Sequence, residues 1–287
     1  MKKIVITGSQ GQLGRDCEAV FKDSCDLVLI DLADGDLSIP EQAAHLLGHH
    51  APDVIINCAA YTAVDACESD ENCWGANEHL PRNLARWAAA HNTFLLHVST
   101  DYVFDGTKPL FEAWSENDIT NPLSEYGRSK RAGEMAIQKE AGRYAIVRTA
   151  WLYSHHGANF LKTMLRLAEQ TDGAPLKVVQ DQFGSPTWTR TLAKQIRQIV
   201  EHEITGVIHA TSEGYGSWYD FAVAIFNEMG IDQVVKPCDS SAYPTPAQRP
   251  KNSILENETL KRFEINQFKD WRAELHDFVQ ENHNHLR

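Results

Sequence analysis

Three side chains near the middle of the chain have the types and spacing needed to reduce a ketone. Tyr126 and Lys130 are four positions apart, so on a helix they share one face. A phenol has a usual pKa of about 10, and a neighbouring ammonium favours the phenolate and lowers that pKa. The same ammonium can hydrogen-bond the ribose of a nicotinamide cofactor. The hydroxyl of Thr100, earlier in the chain, can hold a carbonyl oxygen as charge develops on it.

A glycine-rich segment at the N-terminus predicts the site for that cofactor. The apolar run Ile4–Thr7 is followed by Gly8, Gly11 and Gly14, spaced three apart. This order is typical of a buried strand, a tight turn and the first turn of a helix. A helix N-terminus approached closely by glycine backbone binds pyrophosphate. The segment therefore predicts a dinucleotide-binding fold.

The choice between the two nicotinamide dinucleotides stays open at this point. The second predicted strand ends at Asp31, where this fold places an acid that binds the 2′-hydroxyl of NAD. Arg15, just after the glycine turn, suits the 2′-phosphate of NADP. Both residues are present, so the sequence allows NADPH and NADH.

Other residues are predicted to line the rest of the cofactor. Asp36 and Leu37 follow the second strand closely and are placed beside the adenine. Ala59, Ala60 and Tyr61 follow the third strand, where small residues let the cofactor backbone lie close. Tight packing between strand and helix is the alternative explanation for the two alanines.

The elements that must position these residues alternate between strand and helix. This alternation predicts an α/β fold with a Rossmann-type, doubly wound parallel sheet. We expect residues 1–150 to form the dinucleotide-binding domain. We expect residues 151–287 to form a smaller C-terminal substrate-binding lobe, interleaved with the first. The predicted strands of the first half are Ile4–Thr7, Leu27–Asp31, Val54–Asn57, Phe94–Ser99 and Tyr144–Thr149.

Composition excludes several classes of partner. The 287 residues carry a formal net charge of −12, which argues against a general binder of nucleic acid or anionic membranes. No apolar run reaches membrane-spanning length. The six cysteines form no C-x-x-C pair and are interpreted as reduced thiols, so we expect a cytoplasmic protein with no membrane partner.

The motifs together are similar to a known family. T-G-x-x-G-x-x-G with Y-x-x-x-K resembles the extended short-chain dehydrogenase/reductases. Within them, further segments resemble the dTDP-4-dehydrorhamnose reductase family across nearly the whole chain. These segments are residues 59–65, 99–106, 148–153, 159–164, 181–187 and 243–250.

The resemblance implies an oxidoreductase that completes dTDP-L-rhamnose synthesis. In that family the 4-keto group of dTDP-4-dehydro-L-rhamnose is reduced with NADPH, and NADH is often accepted. Thr100 would orient the keto oxygen, Tyr126 would donate the proton, and Lys130 would tune Tyr126 and hold the ribose. The residues implied to line the pyrophosphate are Gly8, Gly11, Gln12 and Leu13.

The resemblance also implies residues for the dTDP-sugar substrate. Trp151 would present an aromatic face to the deoxysugar, although a tryptophan at a strand end also suits the core. Asn159 and Phe160 would flank the nucleotide-sugar, and Tyr102 would lie on the substrate side. Arg249 would contact the diphosphate, since its planar fork suits phosphate oxygens, or would be an ordinary surface arginine.

One departure from some relatives bears on metal binding and assembly. Those relatives dimerise through carboxylates that hold magnesium. Asp16 matches one such acid, but Arg190 replaces another and would repel a divalent cation. We therefore expect no metal site and either a monomer or a homodimer.

Two other functions stay open. The first is another nucleotide-sugar reductase or epimerase of the same superfamily, and an epimerase would retain its bound NAD. The second is a non-catalytic relative, like the regulatory subunit of methionine adenosyltransferase. The presence of Thr100, Tyr126 and Lys130 favours catalysis over the second alternative.

Overall fold

The computed structural model describes residues 1–171 and 173–286. The strands are β1 (Lys3–Thr7), β2 (Asp26–Ile30), β3 (Val54–Asn57), β4 (Phe94–Thr100), β5 (Arg143–Thr149), β6 (Leu152–Tyr153), β7 (Leu176–Val179), β8 (Phe183–Gly184), β9 (Thr187–Trp188), β10 (Gly206–His209), β11 (Gly216–Ser217) and β12 (Val235–Cys238). The α-helices are α1 (Gln12–Phe21), α2 (Pro40–His50), α3 (Asn72–Trp74), α4 (Leu80–His91), α5 (Glu125–Glu140), α6 (Phe160–Gln170), α7 (Thr189–Glu201), α8 (Trp218–Met229), α9 (Glu258–Arg262) and α10 (Trp271–Leu286). A π-helical turn, Gly75–His79, joins α3 to α4.

A six-stranded parallel sheet forms the centre of the molecule, in the order β10-β5-β4-β3-β1-β2. Its inner strands are short apolar runs, and all four residues of β3 are buried. A parallel sheet needs such strands because helices cover both of its faces. The predicted Rossmann-type fold is therefore confirmed. The strand order reverses between β1 and β3, and ligands bind this kind of sheet at the carboxyl end of such a reversal.

Alternation along β1 divides the core into two layers. Ile4 and Ile6 face α1 and α7 on one side of the sheet, where Leu192 and Ile196 are fully buried. Val5 points to the opposite side and packs in the layer formed with α2, α4 and α5. This division follows from the two-residue period of a strand. The parallel pairing of β1, β3 and β4 places their carboxyl ends at one edge of the sheet.

The second lobe has its own aromatic core. Phe221 on α8 packs with Trp271 and Phe278 on α10 and with Tyr153 on β6, and all four side chains are buried. Small two-stranded sheets, β6-β9, β7-β12 and β8-β11, hold the surrounding loops. Between these segments, α7 packs on α1 and β10 pairs with β5 of the central sheet. The two halves of the sequence therefore share the central sheet.

Two of the cysteines differ from the sequence-based expectation. Cys67 and Cys73 form a disulfide with their Cα atoms 5.3 Å apart, so the prediction that all six thiols are reduced is wrong for this pair. A 3-10 turn at Ala66–Glu68 and the start of α3 bring the two residues together. Cys17, Cys25, Cys58 and Cys238 are free thiols. Among the described helices, none has the length and apolar character needed to cross a membrane.

Candidate active site

The glycine turn after β1 packs directly against the end of β3. Gly8 has φ of +65°, and a Cβ atom there would lie 2.6 Å from the Ala59 backbone, so only glycine fits. Gly11 precedes α1, whose first turn carries no acidic side chain. The backbone N–H groups at this helix start are available to an anion. This glycine cradle therefore fits the pyrophosphate of a dinucleotide.

A cleft of about 620 Å³ extends from the turn across the ends of β2 and β3. Its lining includes the apolar residues Ile30, Leu32 and Leu80. The predicted cofactor residues that line it are Gly8, Gly11, Asp31, Asp36, Leu37, Ala59, Ala60 and Tyr61.

Asp31 has a structural task in this cleft. Its carboxylate accepts hydrogen bonds of 2.8 Å from the backbone N–H groups of Gln10 and Leu32. Arg15 Nε donates to the carbonyl oxygen of Gln10 at 3.1 Å. The acid and the guanidinium that are predicted to select the cofactor thus hold the same turn. Nearby, Asp36 Oδ1 accepts from the backbone of Ser38 at 2.9 Å.

A second cleft, of about 420 Å³, contains the residues predicted to carry the chemistry. Gly11, Cys58 and Ala60 line both clefts, so the two join. Helix α5 begins at Glu125, and Ser124 caps it by accepting from the Gly127 backbone N–H. Of the predicted residues, Gly11, Gln12, Leu13, Ala60, Thr100, Tyr102, Tyr126, Lys130, Trp151 and Asn159 line this second cleft.

Burial and one hydroxyl control the acidity of Tyr126. Its ring is almost fully buried, and burial raises its pKa to about 12. The nearby Thr100 hydroxyl lowers that pKa, while the charge of Asp101 raises it. Thr100 Oγ1 also donates to Asp101 Oδ1 at 3.0 Å, and burial raises the pKa of Asp101 to about 6. Tyr102 packs edge-on against Tyr126 with ring centres 5.6 Å apart.

Lys130 lies under the same cleft and is almost completely buried. Its Nζ donates to the Val98 carbonyl oxygen at 2.8 Å and lies 3.3 Å from His97 Nε2. Burial lowers the pKa of Lys130 to about 8, and the charge of Glu134 acts in the opposite direction. The lysine therefore loses its proton at a lower pH than an exposed lysine does.

The predicted sugar side of the cleft has an aromatic wall. Trp151 adopts φ of +49°, and its indole stacks on that of Trp218 with ring centres 3.5 Å apart. Gly184 lies behind Trp151 and leaves no room for a Cβ. Phe160 packs against Trp218 at 4.6 Å, so it supports the wall from the second lobe.

Gln12 and Asn159 connect the glycine turn to the second lobe. Asn159 Nδ2 donates to Gln12 Oε1 at 2.9 Å and to the Ser154 carbonyl oxygen at 2.7 Å. Its Oδ1 caps α6 by accepting from the Lys162 backbone. Gln12 Nε2 donates to the Ala158 carbonyl oxygen at 3.2 Å. These hydrogen bonds link the glycine turn to the loop before α6, between the predicted cofactor and sugar sites.

Arg249 is held by an acid near the cleft. Its Nη2 lies 2.8 Å from Asp65 Oδ2, and this guanidinium is the main cause that keeps the pKa of Asp65 below its usual range. Burial raises the pKa of Tyr102, and the charge of Arg249 opposes that effect. The predicted contact of Arg249 with a diphosphate stays a prediction, and in this structure its charge is compensated by Asp65.

The two residues considered for a metal site are engaged elsewhere. Asp16 is buried and accepts a hydrogen bond from the Thr189 hydroxyl, while Arg190 pairs with Glu281. Across residues 1–171 and 173–286, no group of three or more His, Cys, Asp or Glu side chains is placed to hold a metal ion.

Sequence reasoning missed two residues of the site. Trp218 lines the second cleft. Its position directly after Ser217, the N-cap of α8, is the sequence feature that could have pointed to it. His97 contacts Lys130 from within β4, and the signal was a histidine inside the apolar run of that strand.

The parallel sheet, the glycine turn and the Tyr126–Lys130 pair define an extended short-chain dehydrogenase/reductase. The model of the RmlD substrate binding domain family matches residues 1–284. A dTDP-4-dehydrorhamnose reductase of Burkholderia thailandensis is 40% identical, with 94% of this chain and 95% of the relative aligned. By sequence and fold, the chain belongs to the dTDP-4-dehydrorhamnose reductase family.

Two further relatives bear on cofactor and substrate. The crystal structure of a dTDP-4-dehydrorhamnose reductase from Bacillus anthracis, in complex with NADP, has a TM-score of 0.94 at 33% identity and covers 98% of this chain and 99% of its own. A protein of Streptomyces antibioticus named a probable dTDP-4,6-dihydroxy-2-methyloxan-3-one 4-ketoreductase is 36% identical over 95% of this chain and 93% of the relative.

Proposed function

We propose that this protein reduces the 4-keto group of dTDP-4-dehydro-L-rhamnose to give dTDP-L-rhamnose, with NADPH as the reductant. The observation that carries the proposal is the single cleft that brings Thr100, Tyr126 and Lys130 together and joins the glycine cradle. Membership of the dTDP-4-dehydrorhamnose reductase family supports the same reaction. The reaction completes the synthesis of dTDP-L-rhamnose for polysaccharides.

Each of the three residues of the cleft has a different role in the reaction. Bound NADPH supplies the hydride. Thr100 turns its hydroxyl hydrogen from Asp101 to the keto oxygen, and Tyr126 gives its phenolic proton to that oxygen as it gains charge. The Lys130 ammonium stabilises the phenolate that forms on Tyr126 and holds the cofactor ribose. Because burial raises the pKa of Tyr126, the phenol stays protonated until charge develops on the substrate oxygen.

Other predicted residues bind the two ends of the ligands. Gly8, Gly11, Gln12 and Leu13 surround the pyrophosphate at the start of α1. The Trp151 indole provides the apolar face for the deoxysugar, with Phe160 supporting the wall behind Trp218. Arg249 exchanges part of its pairing with Asp65 for the diphosphate, and Tyr102 and Asn159 contact the sugar-nucleotide beside it. Just after β2, Asp31, Asp36 and Leu37 hold the adenosine.

NADPH is the preferred cofactor in this proposal, and NADH is accepted. Both Asp31 oxygens already accept backbone N–H groups, so part of their charge is compensated. Arg15 lies against the same turn and can face a 2′-phosphate. The protein acts as a monomer or homodimer in the cytoplasm, without nucleic-acid or membrane partners.

A second candidate is the reduction of a related dTDP-4-keto sugar. The Streptomyces antibioticus relative carries the name of a 4-ketoreductase for a different dTDP-sugar, at an identity close to that of the rhamnose-named relatives. The chemistry at Thr100, Tyr126 and Lys130 would be the same. The two candidates differ in the sugar that contacts Trp151.

The proposal is tested by following NADPH oxidation at saturating dTDP-4-dehydro-L-rhamnose. The matched variant Thr100→Val removes one hydroxyl with little change of shape. We expect turnover by the native protein and a fall in kcat of about ten-fold to a thousand-fold in the variant, because one donor to the developing oxyanion is lost. Native protein that binds NADPH but leaves this substrate unreduced would contradict the proposal.

A further inference from the structure

A row of polar side chains crosses the sheet beneath Lys130. Thr7, Asn57 and His97 stand in register on β1, β3 and β4, and all three are fully buried. Thr7 Oγ1 lies 2.6 Å from Asn57 Oδ1, and Asn57 Nδ2 lies 2.7 Å from His97 Nδ1. The row ends where His97 Nε2 lies 3.3 Å from Lys130 Nζ. Buried polar groups of this kind are stable only when donors meet acceptors.

The positions of the hydrogens follow from the contacts of Asn57. The backbone N–H of Ala59 can only donate, and it lies 3.1 Å from Asn57 Oδ1, so that atom is the amide oxygen. The amide nitrogen therefore faces His97 and donates to Nδ1. A neutral imidazole whose Nδ1 accepts carries its hydrogen on Nε2, which is the atom that faces Lys130.

This arrangement of hydrogens opposes the charged form of Lys130. An ammonium group has three donors and no lone pair, so it cannot accept from Nε2–H, whereas a neutral amine can. We propose that His97 is a positioning residue that favours the neutral amine of Lys130 over the ammonium. Asn57 sets this preference by holding the imidazole in one tautomer.

Burial of the pair acts in the same direction as this assignment. Burial and the Lys130 charge hold the pKa of His97 well below its usual 6.5, so the imidazole is neutral. Burial lowers the pKa of Lys130 to about 8, against the opposing effect of Glu134. Within the proposed function, on which this consequence rests, Lys130 returns a proton to the Tyr126 phenolate. The resulting amine accepts from His97 until it takes a proton from water.

The direct test is the tautomer of His97 in the native, ligand-free protein. Two-bond proton–nitrogen correlation spectra of ¹⁵N-histidine-labelled protein distinguish the tautomers, and the His97 signals are those absent from His97→Asn. We expect the Nε2–H tautomer across the neutral pH range. An Nδ1–H tautomer would overturn the proposal. This measurement needs no substrate, so it stands even if the protein reduces a different sugar.

The variant Asn57→Asp tests the link to Lys130. The new carboxylate keeps an acceptor for Ala59 but faces His97 with a second acceptor. The imidazole hydrogen then moves to Nδ1, and the Nε2 lone pair accepts from the Lys130 ammonium. We expect the alkaline limb of kcat/KM to move up by about one pH unit, because the ammonium persists to higher pH.

The His97 tautomer and the alkaline limb of kcat/KM in Asn57→Asp decide the outcome together. A shifted limb with the tautomer reversed supports the proposal. A shifted limb with the hydrogen still on Nε2 alone would show a plain effect of the added charge and overturn it. A reversed tautomer with an unchanged limb would also overturn it, because His97 would then have no influence on Lys130. If Asn57→Asp fails to fold, the native tautomer decides.

Discussion

Replacing Lys130 with methionine should make the folded protein more stable at pH 7 while it disables the reaction. Burial lowers the lysine pKa from 10.5 to about 8, so the buried ammonium is costly to the fold. At about 1.4 kcal/mol per pKa unit, this difference corresponds to about 3 kcal/mol. Methionine removes the charge and fills a similar volume, but it loses the hydrogen bond to the Val98 carbonyl oxygen, worth about 1 kcal/mol. The net expected gain is about 2 kcal/mol.

The gain should depend on pH in a defined direction. Below about pH 8 the lysine is charged in both the folded and the unfolded protein, so the full cost of burial is present. Between about pH 8 and 10.5 the folded protein loses this proton first, and the native chain becomes relatively more stable as pH rises. The advantage of Lys130→Met should therefore shrink over this window and reverse slightly at its upper end.

The assay is urea unfolding of the native protein and Lys130→Met, measured at several pH values between 7 and 10. Lys139→Met is the matched control, because Lys139 lies on the same helix α5 with an exposed side chain. The control should change the free energy of unfolding by less than about 0.5 kcal/mol. A Lys130→Met protein less stable than the native one at pH 7, or a gain independent of pH, would show that the buried ammonium of Lys130 does not destabilise the fold. Turnover measured in parallel should fall by at least about a hundred-fold.

Three other substitutions test separate parts of the site. Tyr126→Phe should lower kcat by about a hundred-fold to ten-thousand-fold while the Kd for NADPH, measured by calorimetry, stays within two-fold; normal turnover would show that Tyr126 is not the acid. Asp31→Asn should weaken NADH more than NADPH, because the acid binds a free 2′-hydroxyl but repels a phosphate, and equal losses in the two titrations would count against that role. Gly184→Ala would place a Cβ 2.6 Å from Trp151 and should lower kcat/KM for the sugar by about five- to a hundred-fold, with NADPH binding unchanged. Gly142→Ala, which meets open space, is its control and should leave steady-state kinetics unaltered.

Much of the fold follows from local sequence signals. The short apolar runs around Ile4–Thr7 and Val54–Asn57 can only be buried in a sheet covered on both faces, and the structure has them there as β1 and β3. The glycine spacing predicted a tight turn after β1, and the positive φ of Gly8 shows that turn. The order of motifs then placed Thr100, Tyr126 and Lys130 at one edge.

The features that were missed depend on contacts between distant segments. Val235–Cys238 contains Pro237 and still pairs as β12 with β7, and no local pattern identifies that partner strand. The Cys67–Cys73 bond depends on how two short turns meet, which spacing alone does not determine. The stack of Trp218 on Trp151 joins residues from separate elements.

The configuration of the product at C4 is the most direct test of the proposed reaction. The native protein is incubated with NADPH and dTDP-4-dehydro-L-rhamnose, and the sugar nucleotide formed is examined by proton NMR. The ring couplings of H4 report which face of the keto group received the hydride. We expect dTDP-L-rhamnose as the product. The C4 epimer, or unreduced substrate recovered from protein that binds NADPH, would contradict it.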